Sequence, residues 1–392
     1  MLAAALWAWG IQRTLQCTLA VDRYQFQVGE TIPVRLRVES DGFLPLPWVE
    51  VTDGTPAHLV TCDAPRQATA AGPLGSRIVT FHLRARRRGH FRIGPITAVT
   101  GDGFGLFTVT RTVESHRPVT VYPRVIPLRE APVPLGQPFG HLRTRQRAFV
   151  DPYSLAGIRP YQPGDNPRHI HWRVSARRGE LHLKEFELTA TTELVILLDL
   201  CAAAHVQGSR GETGETAVEL AASLADLAAR RHFPLSLLAV GEQRYHVPLT
   251  RGLRALDQVL EVLARVEVNG AAPLAQVLQF EAPALPPRAT VALITPRLDM
   301  ALAQEVLRLR ESRPVMLIAL QAETFAPENP ALQAEAAAQA QLRLRLAGAR
   351  VPVYAVAAGS DIGDLAAMQV LAAPETARTA AGAGARRAGG EG

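Results

Sequence analysis

Arg159, Arg168, Arg173, Arg177 and Arg178 crowd around one acidic turn, Gly164-Asp165-Asn166-Pro167, with Trp172 among them. Guanidinium groups grip carboxylates and phosphates in planar pairs, and Arg, Trp and Tyr dominate the energetics of protein interfaces. The stretch Tyr153–Glu187 therefore offers recognition chemistry. The catalytic readings are thinner. Cys201 with His205 four residues on has the types of a nucleophile and its base, but no third member orients them, and a lone Cys is most often a small buried hydrophobe. His169 and His171 could share a face with His182 as metal ligands, yet no Cys and no closer third His supports zinc. Asp165 beside Arg168 could serve as a catalytic carboxylate; an Asp that caps its own backbone in a Pro-Gly-Asp-Asn-Pro turn is the plainer account. No phosphate-binding GxxxxGK[ST] is present, and the Gly-rich tail follows no strand. No nucleophile, base and orienter assemble, so the chain reads as non-enzymatic and without a cofactor.

The elements that must position these residues differ between the two halves. Thr31–Glu39 alternates Ile32, Val34, Leu36 and Val38 with Pro33, Arg35, Arg37 and Glu39, and Ile78–Arg88 sets Val79, Phe81, Leu83 and Ala85 against His82, Arg84, Arg86 and Arg88. Period-two runs bounded by Gly and Pro are half-buried antiparallel strands, so residues 13–124 read as a β-sandwich. On this pattern Arg84–Arg92 is a solvated strand face, and no aromatic platform suggests nucleic acid. Residues 125–150 carry Pro127, Pro132, Pro134, Gly136, Pro138 and Gly140 and read as an extended surface linker. Residues 151–192 have neither a helical period nor strand alternation and read as a long irregular segment of functional or docking character.

From Glu193 strands alternate with helices. Leu194–Leu198 is a continuous apolar run, as a strand buried on both faces requires, and Ala217, Leu220, Ala221, Leu224, Leu227 and Ala228 share one helical face. Strand-like runs follow at Leu235–Val240, Thr290–Thr295, Val315–Leu320 and Val353–Val356, with helical patterns around Leu253–Leu263, Ala301–Arg310 and Ala331–Leu346. Residues 193–372 thus form a doubly wound parallel sheet, with a crevice at the carboxyl ends of its strands. Residues 373–392, rich in Ala, Gly and Arg, read as disordered.

Composition agrees with a two-domain body. The chain has 392 residues, 47% of them hydrophobic, enough for two cores. The net charge of +6 is uneven: residues 1–190 hold 24 basic and 15 acidic side chains, residues 191–392 hold 18 and 21. Lys184 is the sole lysine. Three well-separated cysteines give neither a disulfide framework nor zinc spacing. Met1–Gln12 is apolar, with Trp7 and Trp9 before Arg13, the order of residues at the interfacial end of a membrane helix, but it is shorter than the roughly 20 residues a spanning helix needs. It reads either as the remnant of a membrane anchor that precedes Met1 or has been lost, or as an apolar, poorly ordered terminus.

The wording of the segment resembles the bacterial domain-of-unknown-function 58 family. The resemblance is carried by Ile158-Arg159-Pro160-Tyr161-Gln162-Pro163-Gly164-Asp165, Arg168-His169-Ile170-His171-Trp172 and Ser175-Ala176-Arg177, and upstream by Arg87–Pro95, Asp102–Phe107 and Val121-Tyr122-Pro123. His171 departs from the family's usual Asp. The family signature covers Arg159, Tyr161, Gly164, Asp165, Arg168, Trp172, Arg173, Ser175, Ala176 and Arg177. The second domain resembles a von Willebrand factor type A domain, a fold in which an Asp-x-Ser-x-Ser loop, a later Thr and a later Asp hold a divalent cation, a hard ion that demands oxygen ligands. Here Asp199 is followed by Cys201 and Ala203 at the serine positions, Asn269–Pro273 lacks the Thr, and Pro296 stands at the late Asp. The resemblance thus implies a degenerate site, and no metal is expected.

Family resemblance also implies a partner, a MoxR-type AAA+ ATPase. The leading expectation is a non-enzymatic adaptor or scaffold in complex assembly, membrane-associated with a cytoplasmic body, or cytoplasmic if the anchor is truly absent. A metal-dependent ligand-binding or adhesion module is the alternative, and a cryptic hydrolase the third. Trp172 and Arg177 are expected either to dock that partner or to lie buried, bridging the segment to the parallel sheet.

Overall fold

The computed structural model describes residues 2–62, 64, 66–102, 106–116, 118–129, 155–162, 167, 170–186, 193–287 and 289–371. The first strands are β1 (Leu15–Val21), β2 (Gln25–Gln27), β3 (Thr31–Ser40), β4 (Leu46–Asp53), β5 (Val60–Cys62), β6 (Arg66–Ala71), β7 (Ser76–Ala85), β8 (Gly89–Phe91), β9 (Ile96–Gly101), β10 (Thr108–Val113) and β11 (Val119–Tyr122). They form sheets ordered β1-β3-β7-β5 and β10-β9-β4-β6, with a small third sheet, β2-β11-β8. All pairings in the two larger sheets are antiparallel. Alternation dictates the packing: Ile32, Val34, Leu36 and Val38 from β3 and Val79, Phe81, Leu83 and Ala85 from β7 all enter one core. Ahead of them lies a helix, α1 (Leu2–Thr14), whose Ile11 is fully buried in the same core.

The second half contains β14 (Leu194–Asp199), the short ladder β15 (Gln207–Gly208) and β16 (Gly211–Glu212), β17 (Leu235–Val240), β18 (Arg244–Thr250), β19 (Thr290–Thr295), β20 (Val315–Leu320) and β21 (Val353–Val356). Between them run α3 (Thr213–Arg230), α4 (Leu253–Arg265), α5 (Leu274–Glu281), α6 (Met300–Ser312), α7 (Ala322–Phe325) and α8 (Pro330–Gly348). The sheet order is β18-β17-β14-β19-β20-β21, parallel throughout except for β18, which joins β17 as an antiparallel edge. Apolar residues of α3 and α4 pack on one face of the sheet, and those of α5 and α6 on the other. Central strands buried on both faces are why β14, β19 and β20 read as unbroken apolar runs. The strand order reverses on either side of β14, so the loops after β14 and β19 flank the switch point where such sheets bind ligands. The structure is therefore a mixed α/β chain, with an N-terminal antiparallel β-rich region and a C-terminal parallel sheet covered by helices.

Outside residues 151–192, which were read as irregular and form two strands and a helix, three regions differ from the sequence reading, each for a non-local reason. Arg88 is not on a solvated face: its side chain is 7% exposed, and its guanidinium donates to Leu263 O at 3.0 Å and Val266 O at 2.9 Å, the open carbonyls at the end of α4. It also pairs with Glu215, while Arg87 grips Glu212 with two bonds of 3.0 and 2.9 Å. Two arginines of the basic strand end thus tie the sandwich to the parallel-sheet domain. Tyr122 donates to Glu261 at 3.1 Å across the same seam; burial first and the Glu261 carboxylate second push its phenol up to about 12. Residues 125–129, read as surface linker, dock instead on the second domain: Leu128 is buried in its core, Ile126 N donates to Ser223 Oγ at 3.0 Å, and Arg129 pairs with Asp361 at 2.8 Å. The rest of the expected linker and the tail 373–392 lie outside the described residues. The N-terminal stretch is the third case in one respect: in place of a poorly ordered terminus it forms α1, seated on the sandwich through Ile11. Among the described residues no helix is long and apolar enough to cross a membrane.

Candidate functional site

The signature segment folds as a small unit. β12 (Leu155–Pro160) pairs antiparallel with β13 (His182–Phe186), and a seven-residue helix, α2 (Trp172–Arg178), sits between them. Ser175 is the pin. Its hydroxyl donates to His171 O at 3.1 Å and accepts from His182 N at 2.9 Å, tying helix to strand, and the residue is 7% exposed. His171 caps the helix by accepting from Val174 N, and Gly179 ends it at φ 73°, a backbone that favours glycine. The ring of His182 is buried with both nitrogens engaged: Nδ1–H donates to Glu180 O at 2.9 Å, and Nε2 faces Arg178 at 3.4 Å. A backbone carbonyl only accepts, so this tautomer follows from the contact itself.

With one side of α2 pinned, the other faces solvent. Trp172 is 68% exposed, and Arg173, Ala176, Arg177 and Arg178 are exposed too. Ile158 on β12 and Leu181 just before β13 add apolar surface. Tyr161 is half-buried, its N–H bonded to Leu181 O at 2.8 Å, and Arg159 is half-buried with a bond to Pro160 O. Gly164, Asp165, Arg168 and His169 lie outside the described residues. The helix was not legible because seven residues carry two helical turns, too few for a period to emerge among Pro and Gly punctuation.

The crevice of the parallel sheet is built differently. Asp199, at the end of β14, is buried; its Oδ1 accepts from Cys201 N at 2.9 Å and its Oδ2 from the Thr295 hydroxyl at 2.7 Å. Burial pushes this carboxyl above its ordinary range, against those two hydrogen bonds and nearby His205. His205 donates Nε2–H to Asp199 O at 2.9 Å and meets Thr213 Oγ1 through Nδ1 at 3.1 Å; burial holds its ring below the usual imidazole range, hence neutral. Both ring nitrogens being engaged, His205 is not presented to Cys201 as a base. Cys201 is buried and bridged to Gly270, Ala203 is exposed, and Pro296 is buried. Asp299 uses Oδ1 to cap α6 at Leu302 N, 2.8 Å. A cavity of about 110 Å³ lies here, walled by Pro273, Leu274, Ala275 and Leu302, with Asp199, Arg297 and Asp299 at its edge. Among the described residues, no three His, Cys, Asp or Glu side chains gather so as to hold a metal ion. The oxygens that a hard cation would need are few and already bonded internally. Millimolar Mg²⁺ or Mn²⁺ is accordingly expected to leave the melting temperature within about a degree, because an ion that binds the native state tightly raises it by mass action; a rise of several degrees would contradict this.

These two sites define a class: a mixed α/β chain, antiparallel β-rich ahead of a parallel sheet, with an internally hydrogen-bonded crevice and an exposed Arg/Trp helix. The family model described as "Protein of unknown function DUF58" matches residues 157–340, which span the signature segment and much of the parallel-sheet domain. The "Uncharacterized protein YeaD" of Bacillus subtilis (strain 168) is 23% identical over 287 residues, covering 69% of this chain and 67% of its own. Among solved structures, the CARDB domain of the PF1109 protein from Pyrococcus furiosus is 15% identical, covering 28% of this chain and 89% of its own at a TM-score of 0.19. Proximal thread matrix protein 1 from the mussel byssus is 13% identical, covering 35% and 40% at a TM-score of 0.27. Both scores are too low to carry an argument.

Proposed function

We propose that this protein is a non-enzymatic adaptor or scaffold in protein-complex assembly, that its partner is a MoxR-type AAA+ ATPase, and that α2 with its flanking strands is the docking surface. The observation that carries this reading is Trp172, 68% exposed at the first turn of a helix that Ser175 pins to the following strand. A large aromatic ring on a preorganised element that also exposes Arg173, Arg177 and Arg178 is the composition of an interface anchor: little order is lost when it is covered. The guanidinium groups favour a partner surface that is acidic around an apolar pocket. The crevice supports the non-enzymatic part of the reading, because both ring nitrogens of His205 and both carboxylate oxygens of Asp199 are already engaged within the chain. The parallel-sheet domain is, on this reading, a von Willebrand factor type A-like domain that has lost its cation. A body held at the cytoplasmic side of a membrane completes the proposal.

The test is capture of partners from host lysate with the tagged chain, with ATP and without. Recovery of an AAA+ ATPase is expected, falling about 30-fold or more in affinity on Trp172→Ala and less on Arg173→Ala, as for a hot spot and its neighbour. Both residues are exposed, so the melting temperature should stay within a few degrees. Undiminished capture by both variants would refute the docking surface.

A further inference from the structure

The sandwich carries a second exposed surface, at one end. By strand register the β3–β4, β6–β7 and β9–β10 connections all leave the sheets there: Leu46 faces Ala71, Glu39 faces Ser76, and Val49 faces Thr100 beside the end of β9. α1 enters at the same end, since Leu15 faces Ser40. It is stitched to these loops by Trp7 Nε1 donating to Pro45 O at 3.2 Å and by Asp41 N donating to Thr14 O at 3.2 Å. A Cβ on Gly10 would lie 2.8 Å from Leu44 Cδ1, so helix and loop touch directly. Leu74 N in turn donates to Gly42 O at 3.0 Å, which joins the β6–β7 loop to the β3–β4 loop.

Loop tips in soluble proteins are normally Gly, Pro, Asn, Asp or Ser. Here they carry Phe43, Leu44, Leu74 and Leu106, and α1 adds Leu6 and Trp9. Phe43 is 83% exposed and Leu74 61%, so they stand out from the surface as tips rather than line a groove. Leu74 is held at φ 52°, a left-handed backbone that a bulky residue adopts at a cost and that glycine would adopt freely. Single exposed apolar residues need no explanation; a set from four separate elements meeting at one end does. The polar setting narrows the occupant. Arg13 stacks on the Trp9 ring at 3.9 Å, and Arg111 reaches Gln12 O on the same helix, while Arg77 follows Leu74 at the start of β7. Of the carboxylates at this end, Glu39 pairs with Arg37, Asp41 accepts from Gln16, and Asp102 is buried and accepts from Phe107 N. Protruding Phe, Leu and Trp within a rim of guanidinium groups is the chemistry of insertion at a lipid–water interface, where aromatic rings sit at headgroup depth and cations meet anionic lipid.

The geometry points to this end of the sandwich as a membrane-contact face that seats on an anionic lipid surface, independently of the docking role of α2. The test is co-sedimentation of the full chain with vesicles of equal parts phosphatidylcholine and phosphatidylglycerol. The wild type is expected to sediment with them, and more weakly with phosphatidylcholine alone. Phe43→Ser combined with Leu74→Gly should reduce partitioning at least about tenfold, since two inserted side chains are lost. Leu74→Gly removes backbone strain, so that variant alone should melt no lower than the wild type and still bind measurably less. A wild type left in the supernatant, or a double variant that sediments undiminished, overturns the proposal. A wild-type dimer by light scattering that the same substitutions dissociate overturns it too, in favour of a second copy of the chain.

Discussion

Arg88→Ala is expected to uncouple the two domains. The side chain is 7% exposed, pairs with Glu215 and satisfies two carbonyls at the C-terminus of α4, where a cation also meets the negative end of the helix dipole. Removing it leaves those carbonyls and a carboxylate without their partner in a partly closed seam, a loss of about 3 kcal/mol. The readout is calorimetry: the domains should melt at separated temperatures, with the parallel-sheet domain the less affected because its own core is larger. Arg87→Ala is the internal comparison. Its pair with Glu212 runs from one nitrogen, Nη2, to both carboxylate oxygens and is half-exposed, so solvent screening holds its worth below about 1 kcal/mol. Equal effects from the two substitutions would mean that Arg88 is not the tie.

The second large effect is expected at Asp199. Asp199→Ala strands the Cys201 N–H, at about 1–3 kcal/mol for a buried donor left unpaired, while the Thr295 hydroxyl can still donate to Arg297 O at 3.0 Å. Asp199→Asn keeps an acceptor there and instead reveals the pH dependence. Burial raises the folded carboxyl above its ordinary 3.8, so the folded state holds the proton more tightly than the unfolded chain. That contribution is fully present below the unfolded value and lost as pH rises through the folded one. His205 works in the opposite sense: its folded value lies below 6.5, so its contribution is present above 6.5 and lost as pH falls. Without the Asp199 charge only the His205 effect remains, and stability should rise more steeply with pH towards 6.5 in Asp199→Asn than in the wild type. Urea midpoints across that range measure the slope; parallel slopes would show that the carboxylate is not strained by burial.

How much of this was legible depended on the range of the forces involved. β3 and β7 were readable because alternation is a local consequence of one buried face. The ranges of β17, β19, β20 and β21 were readable because strands buried on both sides are almost wholly apolar; their few polar residues, such as Ser236 and Thr295, are small and hydrogen-bonded. β18 was not: RYHVPLT mixes exposed and buried positions and contains Pro248, which an antiparallel edge strand tolerates. Arg88 looked like its neighbours Arg84 and Arg86 because the carbonyls it satisfies come from residues some 175 positions away. Ile11 looked like part of an apolar tail for the same reason. At the crevice, the residue types at 199, 201, 203 and 296 were visible, but not that Thr295 and His205 would close the site from within.

The account turns on whether α2 meets a partner through Trp172. A photoreactive phenylalanine analogue placed at position 172 in the host, with position 280 as comparison, tests this most directly. Phe280 is 82% exposed on α5, so access alone cannot separate the two sites. A discrete crosslink to an AAA+ ATPase is expected from position 172 and none from 280. No crosslink at 172, or the same products from both positions, would contradict it.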